Sequence, residues 1–274
     1  MDGPLAAFRE IVTAAETEID LGRAALAVAR IEHADLDETR CLGALEDLAA
    51  RSGAAGARGA LGRLMRLRDF LFTAEGFRGN AGDYYDPRNS CLNDVLTTRL
   101  GIPITLSVLL IEVGRRVDLA LDGLGLPGHF IVGARLGDRR MFLDPFNGGA
   151  ELTATAAADI AARAVGRPVT LEDEHWTPCT KRQIITRILR NLKGSYAKRE
   201  DWARALAVVD RLLVVEPDSP THQRDRGSVL VRLGQLHQGA AEWERYVTHH
   251  PDAHDAAAVR HNLRTVREKL AALN

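Results

Sequence analysis

Leu5, Phe8, Ile11 and Val12 recur at i, i+3, i+6 and i+7, the apolar face of an amphipathic helix, and open a stretch over residues 4–51 that reads as helical throughout. Residues 21–32 are rich in alanine, the best helix former. Asp35 or Asp37 stands where an N-cap belongs for the next helix, which runs towards Arg51. Ser52-Gly53-Ala54-Ala55-Gly56 breaks the pattern, and Leu61, Leu64, Met65, Leu67 and Leu71 resume it. Between residues 76 and 89, Gly76, Gly79, Asn80, Gly82, Asp83 and Asp86-Pro87 signal a loop. Ser90 is the expected N-cap of a short helix ending near Arg99. Pro103 then takes the first position of a helix over residues 104–117, where a missing N–H does no harm. Ile104, Leu106, Val108, Leu109, Leu110, Ile111 and Val113 cover most of its circumference, which predicts a central, buried helix.

After Asp118 the texture changes to short apolar runs between turn residues. Residues 119–124, 130–134 and 141–143 read as strands, with Gly137-Asp138 as a hairpin turn and Gly148-Gly149 closing the block. Residues 153–180 read as one helix and an irregular stretch holding Pro168 and Pro178, which suits a domain boundary. From Thr186 the helical period returns and the chain repeats itself. Pro217 and Pro251 lie 34 residues apart, the period of tetratricopeptide repeats. The same offset pairs Tyr196 with Leu230, Ala205 with Gly239 and Val209 with Trp243, where that repeat places large, small and large packing residues. A last helix over about residues 255–273 serves as the capping element such an array needs. The fold class expected is α+β: a helical N-terminal region and a core with a small antiparallel sheet over residues 1–180, then an all-α repeat region over residues 181–274.

Composition narrows the function classes. The 36 basic and 37 acidic side chains leave a formal charge of −1, so no global field recruits nucleic acid or an anionic membrane. The basic run at Lys181, Arg182, Arg187 and Arg190 is expected to be a solvated helix face. Cys41, Cys91 and Cys179 are far apart and form no CxxC, which argues for a reducing compartment and against a disulfide framework or a zinc site. No signal-peptide pattern opens the chain and no run approaches the ~20 apolar residues of a membrane span, so a cytoplasmic protein is expected. Six of the nine histidines lie between His222 and His261, but Pro251 separates His250 from His254, and neither a metal nor a cofactor is expected. Trp202 and Trp243 read as packing residues of the repeats.

The candidate chemistry lies between Gly101 and Gly149. Leu126-Pro127-Gly128-His129-Phe130 presents a histidine on one strand, and Phe142-Leu143-Asp144-Pro145-Phe146 presents an aspartate at the end of another. In a cysteine triad the thiol sits at a helix N-terminus, where the dipole favours thiolate; the histidine takes its proton and the aspartate orients the histidine. The helix that should carry the thiol opens with Gly101-Ile102-Pro103-Ile104-Thr105-Leu106-Ser107.

Together with Tyr84-Tyr85-Asp86-Pro87-Arg88-Asn89-Ser90, these segments resemble the transglutaminase-like superfamily. They resemble more closely a bacterial branch with C-terminal tetratricopeptide repeats, sometimes labelled an invasion-gene regulator, and Arg224-Asp225-Arg226-Gly227 fits that branch too. The resemblance runs from roughly residue 20 to the end of the chain. It implies that His129 and Asp144 are the triad histidine and aspartate and that the nucleophile position falls on Pro103, which has no nucleophile. Cys91, twelve residues earlier, is one substitute, provided its helix packs across the cleft; Thr105 and Ser107 are two more. His129 and Asp144 also read as a satisfied structural pair, and Asp144 before Pro145 as an Asx turn. Two functions stay open. One is a non-catalytic module that binds a protein or peptide, in an oligomeric state the sequence leaves undetermined. The other is an amide-bond hydrolase or acyltransferase using His129 and Asp144 with an unconventional nucleophile.

Overall fold

Capping side chains decide where the first helices start. A computed structural model describes residues 3–272. Its helices are α1 (Gly3–Thr13), α2 (Leu21–Ala29), α3 (Glu38–Ser52), α4 (Gly59–Asp69), α5 (Leu92–Thr98), α6 (Pro103–Arg115), α7 (Ala154–Val165), α8 (Lys181–Lys198), α9 (Trp202–Val215), α10 (Pro220–Arg232), α11 (Leu236–His249) and α12 (Ala256–Ala271). Its strands are β1 (Arg78–Gly79), β2 (Leu100–Gly101), β3 (Leu121–Leu126), β4 (His129–Leu136), β5 (Arg139–Asp144) and β6 (Ala150–Leu152). Asp20 accepts from the Arg23 amide to cap α2, and Asp37, not Asp35, accepts from the Arg40 amide to cap α3. α5 starts one residue later than expected. Asp86 and Pro87 open a 3-10 turn that absorbs Ser90, and Cys91, in extended backbone, becomes the N-cap. Arg99 ends that helix in the left-handed region, with φ of 64°.

The protein is α+β and divides into two compact units, Ala14–Ile188 and a second made of Met1–Thr13 with Leu189–Asn274. The cut falls inside α8, at 188/189 rather than 180/181, and α1 goes with the C-terminal unit. There α1 packs on α9, with Phe8 buried and the Arg211 guanidinium 5.7 Å from its ring centre. Periodicity identifies the face α1 buries but not the element that covers it.

In the first unit α6 is the central element. Every residue from Pro103 to Leu110 is buried, and the helix packs on α2, α3, α4 and α5 and on β3 and β4. The sheet is an antiparallel meander in the order β3-β4-β5-β6. Residues 129–134 of β4 are all buried, because α6 covers one face of the sheet and α7 contributes Ala157 and Ala161 to a core with Leu124, Leu126 and Ile131 on the other. β1 and β2 form a separate parallel pair, Arg78 opposite Leu100 and Gly79 opposite Gly101, too short for any periodicity to reveal. In the second unit the residues paired by the 34-residue offset are buried: Tyr196, Leu230, Ala205, Val209 and Trp243. Gly227 lets α10 and α11 approach, since a Cβ there would lie 2.5 Å from the Trp243 ring.

Candidate functional site

His129 opens β4 directly after the turn at Pro127-Gly128. Gly128 holds φ of 66°, and a Cβ there would lie 2.8 Å from that of Ala164, so only glycine suits the turn. The Arg187 guanidinium, from α8, donates to the carbonyls of Leu126 at 2.9 Å and His129 at 2.6 Å, which pins both ends of the hairpin. On β5, Leu143 pairs with Val132, so continuing the register sets Asp144 opposite Ile131, one diagonal step from His129. An imidazole spans that step. His129 Nε2 donates to Asp144 Oδ2 at 3.0 Å, with Asp144 fully buried and His129 6% exposed.

Asp144 has a second task. Its Oδ1 accepts from the amides of Phe146 at 3.0 Å and Asn147 at 3.3 Å, closing the Asx turn, while Oδ2 also accepts from Asn147 Nδ2 at 2.7 Å. Burial pushes the Asp144 carboxyl up, but the hydrogen bond and charge of His129 and the bonds from Asn147 outweigh it and hold the group below the usual carboxylate range. The arrangement fixes one tautomer of His129, with its proton on Nε2.

The start of α6, where the resemblance places a nucleophile, carries a proline. Ile102 is its N-cap and Pro103 its first residue. Thr105 Oγ1 donates to the Asn89 carbonyl at 2.8 Å and Ser107 Oγ to the Pro103 carbonyl at 2.8 Å, and both residues are fully buried. Each hydroxyl is committed to backbone. The Asn89 carbonyl also accepts from the Ile102 amide at 3.3 Å, and the Asn89 side chain donates to the Asp83 carbonyl at 2.6 Å and accepts from Asn80 at 3.0 Å. Asn89 thereby ties the 80–90 loop to the helix start. Phe146 stands edge-on to His129 at 6.0 Å between ring centres and to Tyr84 at 6.1 Å, screening the imidazole. Burial raises the Tyr84 phenol, against the pull of Arg187.

Cys91 lies elsewhere. Its thiol donates weakly to the Pro87 carbonyl at 3.6 Å and groups with His33 and Asp94, whose side chains meet at 2.7 Å. Burial above all, then Asp94, Glu32 and Asp86, raise this thiol well above its ordinary value, the opposite of an activated nucleophile. Cys41 and Cys179 are partly buried, and burial raises both. Of two large cavities in this unit, one of about 710 Å³ is lined by Glu16, Ile111, Arg115, Asp122 and Ile184, and one of about 800 Å³ by His33, Arg40, Cys41 and Asn93. Neither includes His129.

The structure therefore joins His129 to Asp144 and leaves Cys91, Thr105 and Ser107 bonded to other groups. Sequence reasoning missed the positioning roles of Asn147, Asn89 and Arg187. Asn147, three residues after an Asx-turn aspartate, carried a usable signal. Arg187, 58 residues from His129, carried none.

A family model described as the transglutaminase-like superfamily matches residues 39–190, and one described as tetratricopeptide repeat matches residues 192–264. A UPF0162 protein of Xylella fastidiosa is 35% identical over 263 residues, covering 93% of each chain. A UPF0162 protein of Vibrio cholerae is 33% identical over 185 residues, 66% of this chain and 68% of its own. Protein SirB1 of Salmonella typhimurium is 25% identical over 214 residues, 77% of this chain and 79% of its own. No solved structure matches the chain significantly.

Proposed function

The chain belongs to the transglutaminase-like superfamily, and on that premise we propose that it is a non-catalytic binding or regulatory module. The observation that supports this reading is the helix start: α6 opens with Pro103, where the resemblance puts the nucleophile, and both nearby hydroxyls donate to backbone carbonyls. Acyl transfer by a cysteine triad needs a sulfur to attack the carbonyl, a histidine to take its proton and later pass it to the leaving amine, and a carboxylate to orient the histidine. His129 and Asp144 are suited to the last two tasks, and residue 103 has no atom for the first. In this reading the retained pair acts as a structural latch between β4 and the Pro145–Asn147 turn. The unit Ala14–Ile188 would form the recognition fold and the repeats of the second unit a surface for a protein or peptide partner, in a cytoplasmic setting. Tetratricopeptide repeats support the protein-partner part.

The test treats purified protein and its His129→Ala variant with thiol- and hydroxyl-directed acylating probes. No His129-dependent labelling is expected. Selective labelling of Cys91, Thr105 or Ser107 that disappears in His129→Ala would instead establish the rival reading, an amide-bond hydrolase or acyltransferase with an unconventional nucleophile.

A further inference from the structure

α2 ends at Ala29, and the following turn carries His33, whose amide donates to the Ala29 carbonyl at 3.0 Å. α5, packed against α2, starts from Cys91 as N-cap and carries Asp94 in its first turn. Two segments 61 residues apart thus bring together an imidazole nitrogen, a thiol sulfur and a carboxylate oxygen, each within 4.8 Å of the others. Nitrogen, sulfur and oxygen from these three residue types are the donors that zinc takes. The burial is graded. Cys91 is fully buried, the Asp94 side chain is 16% exposed and that of His33 35%, so sulfur forms the floor and the other donors face outward. His33 and Asn93 line a surface cavity of about 800 Å³, so the His33 side of the cluster is open to solvent. Asp94 and Glu32 place negative charge near the thiol, while Asp86 is already paired with Arg88 at 2.6 Å. The amide oxygen of Asn93, beside Asp94, is buried and has no hydrogen-bond partner among the described residues.

We propose that His33, Cys91 and Asp94 form a three-ligand site for a zinc-like divalent cation, with water in the fourth position. Zinc bonds to such donors run about 2.0–2.3 Å, so closing the cluster onto one ion takes ångström-scale side-chain rotation. The His33–Asp94 hydrogen bond, 2.7 Å long, gives way as it does so. The thiol proton leaves to solvent as the sulfur–metal bond forms, and the imidazole binds through Nε2 with its proton on Nδ1. The ion would clamp α2 to α5, the helix that leads through β2 into α6. This site is independent of the His129–Asp144 pair.

The test titrates the metal-free full chain with Co2+ and then displaces it with Zn2+. One equivalent is expected to bind, with a thiolate-to-cobalt charge-transfer band and tetrahedral d–d absorption that Zn2+ bleaches. Cys91→Ser abolishes the charge-transfer band, Cys41→Ser and Cys179→Ser keep it, and His33→Gln weakens affinity at least tenfold. A titration without a thiolate band, or a band that survives Cys91→Ser, overturns the proposal. If circular dichroism shows Cys91→Ser unfolded, the half-exposed His33→Gln decides, and an unchanged affinity there overturns it as well.

Discussion

Asp144 illustrates how much one side chain carries: it holds His129 and caps the turn that follows β5, through four accepted hydrogen bonds. Removing it strands a buried imidazole and two backbone amides. Asp144→Ala is expected to lower stability by about 3 kcal/mol in urea denaturation, and Asp144→Asn by less, because Asn keeps an acceptor for the turn. The carboxyl is held below its unfolded value of about 3.9, so its contribution is complete above that pH and is lost as pH falls through the lower folded value. Wild-type stability should therefore fall more steeply below about pH 4 than that of Asp144→Asn, which denaturation midpoints across pH 2–6 would reveal. Pro103 allows the converse experiment. Pro103→Cys places a thiol at the first helical position, and its alkylation should slow at least tenfold when His129→Ala is added; equal rates would show that His129 does not reach that position. His129, Asp144 and Pro103 were legible in the sequence because each sits in a short local motif. The surroundings of Cys91 were not, since His33 reaches it only through the packing of α2 on α5.

Elements were legible where a long apolar period supported them. α6 and the repeat helices follow the spacing of their leucines, valines and alanines, and the 34-residue offset lands on buried positions in both copies. Short elements and element ends were not. β1 and β2 exist by pairing with each other, and the shift of the α5 cap from Ser90 to Cys91 follows from competition with the turn at Asp86-Pro87. Close packing also reverses a propensity argument. In an open helix Gly→Ala gains about 1 kcal/mol, but at Gly227 the new methyl would meet the Trp243 ring at 2.5 Å. Overpacking of that kind costs about 1–3 kcal/mol, so Gly227→Ala is expected to lower, not raise, the melting temperature of the C-terminal unit.

At the scale of the whole molecule, each unit has its own core: α11 and α12 cluster around Trp243, Tyr246 and Leu263, and β3, β4 and α7 around Leu124 and Ile131. Unfolding is expected to depart from two-state behaviour, with Gly227→Ala lowering one transition and Asp144→Ala the other. Tryptophan fluorescence separates them, because Trp202 and Trp243 lie in the second unit and Trp176 in the first. A single transition shifted equally by both variants would refute that independence. The change of texture near residue 118 and the return of helical period at Thr186 announced a mixed core followed by repeats. Periodicity reports which face of an element is buried, and local motifs report caps, turns and the proline that opens α6, since both depend on neighbours in sequence. Which unit α1 joins, that Arg187 holds the His129 hairpin, and that His33, Cys91 and Asp94 share one corner depend on neighbours in space, and only the packed chain decides those.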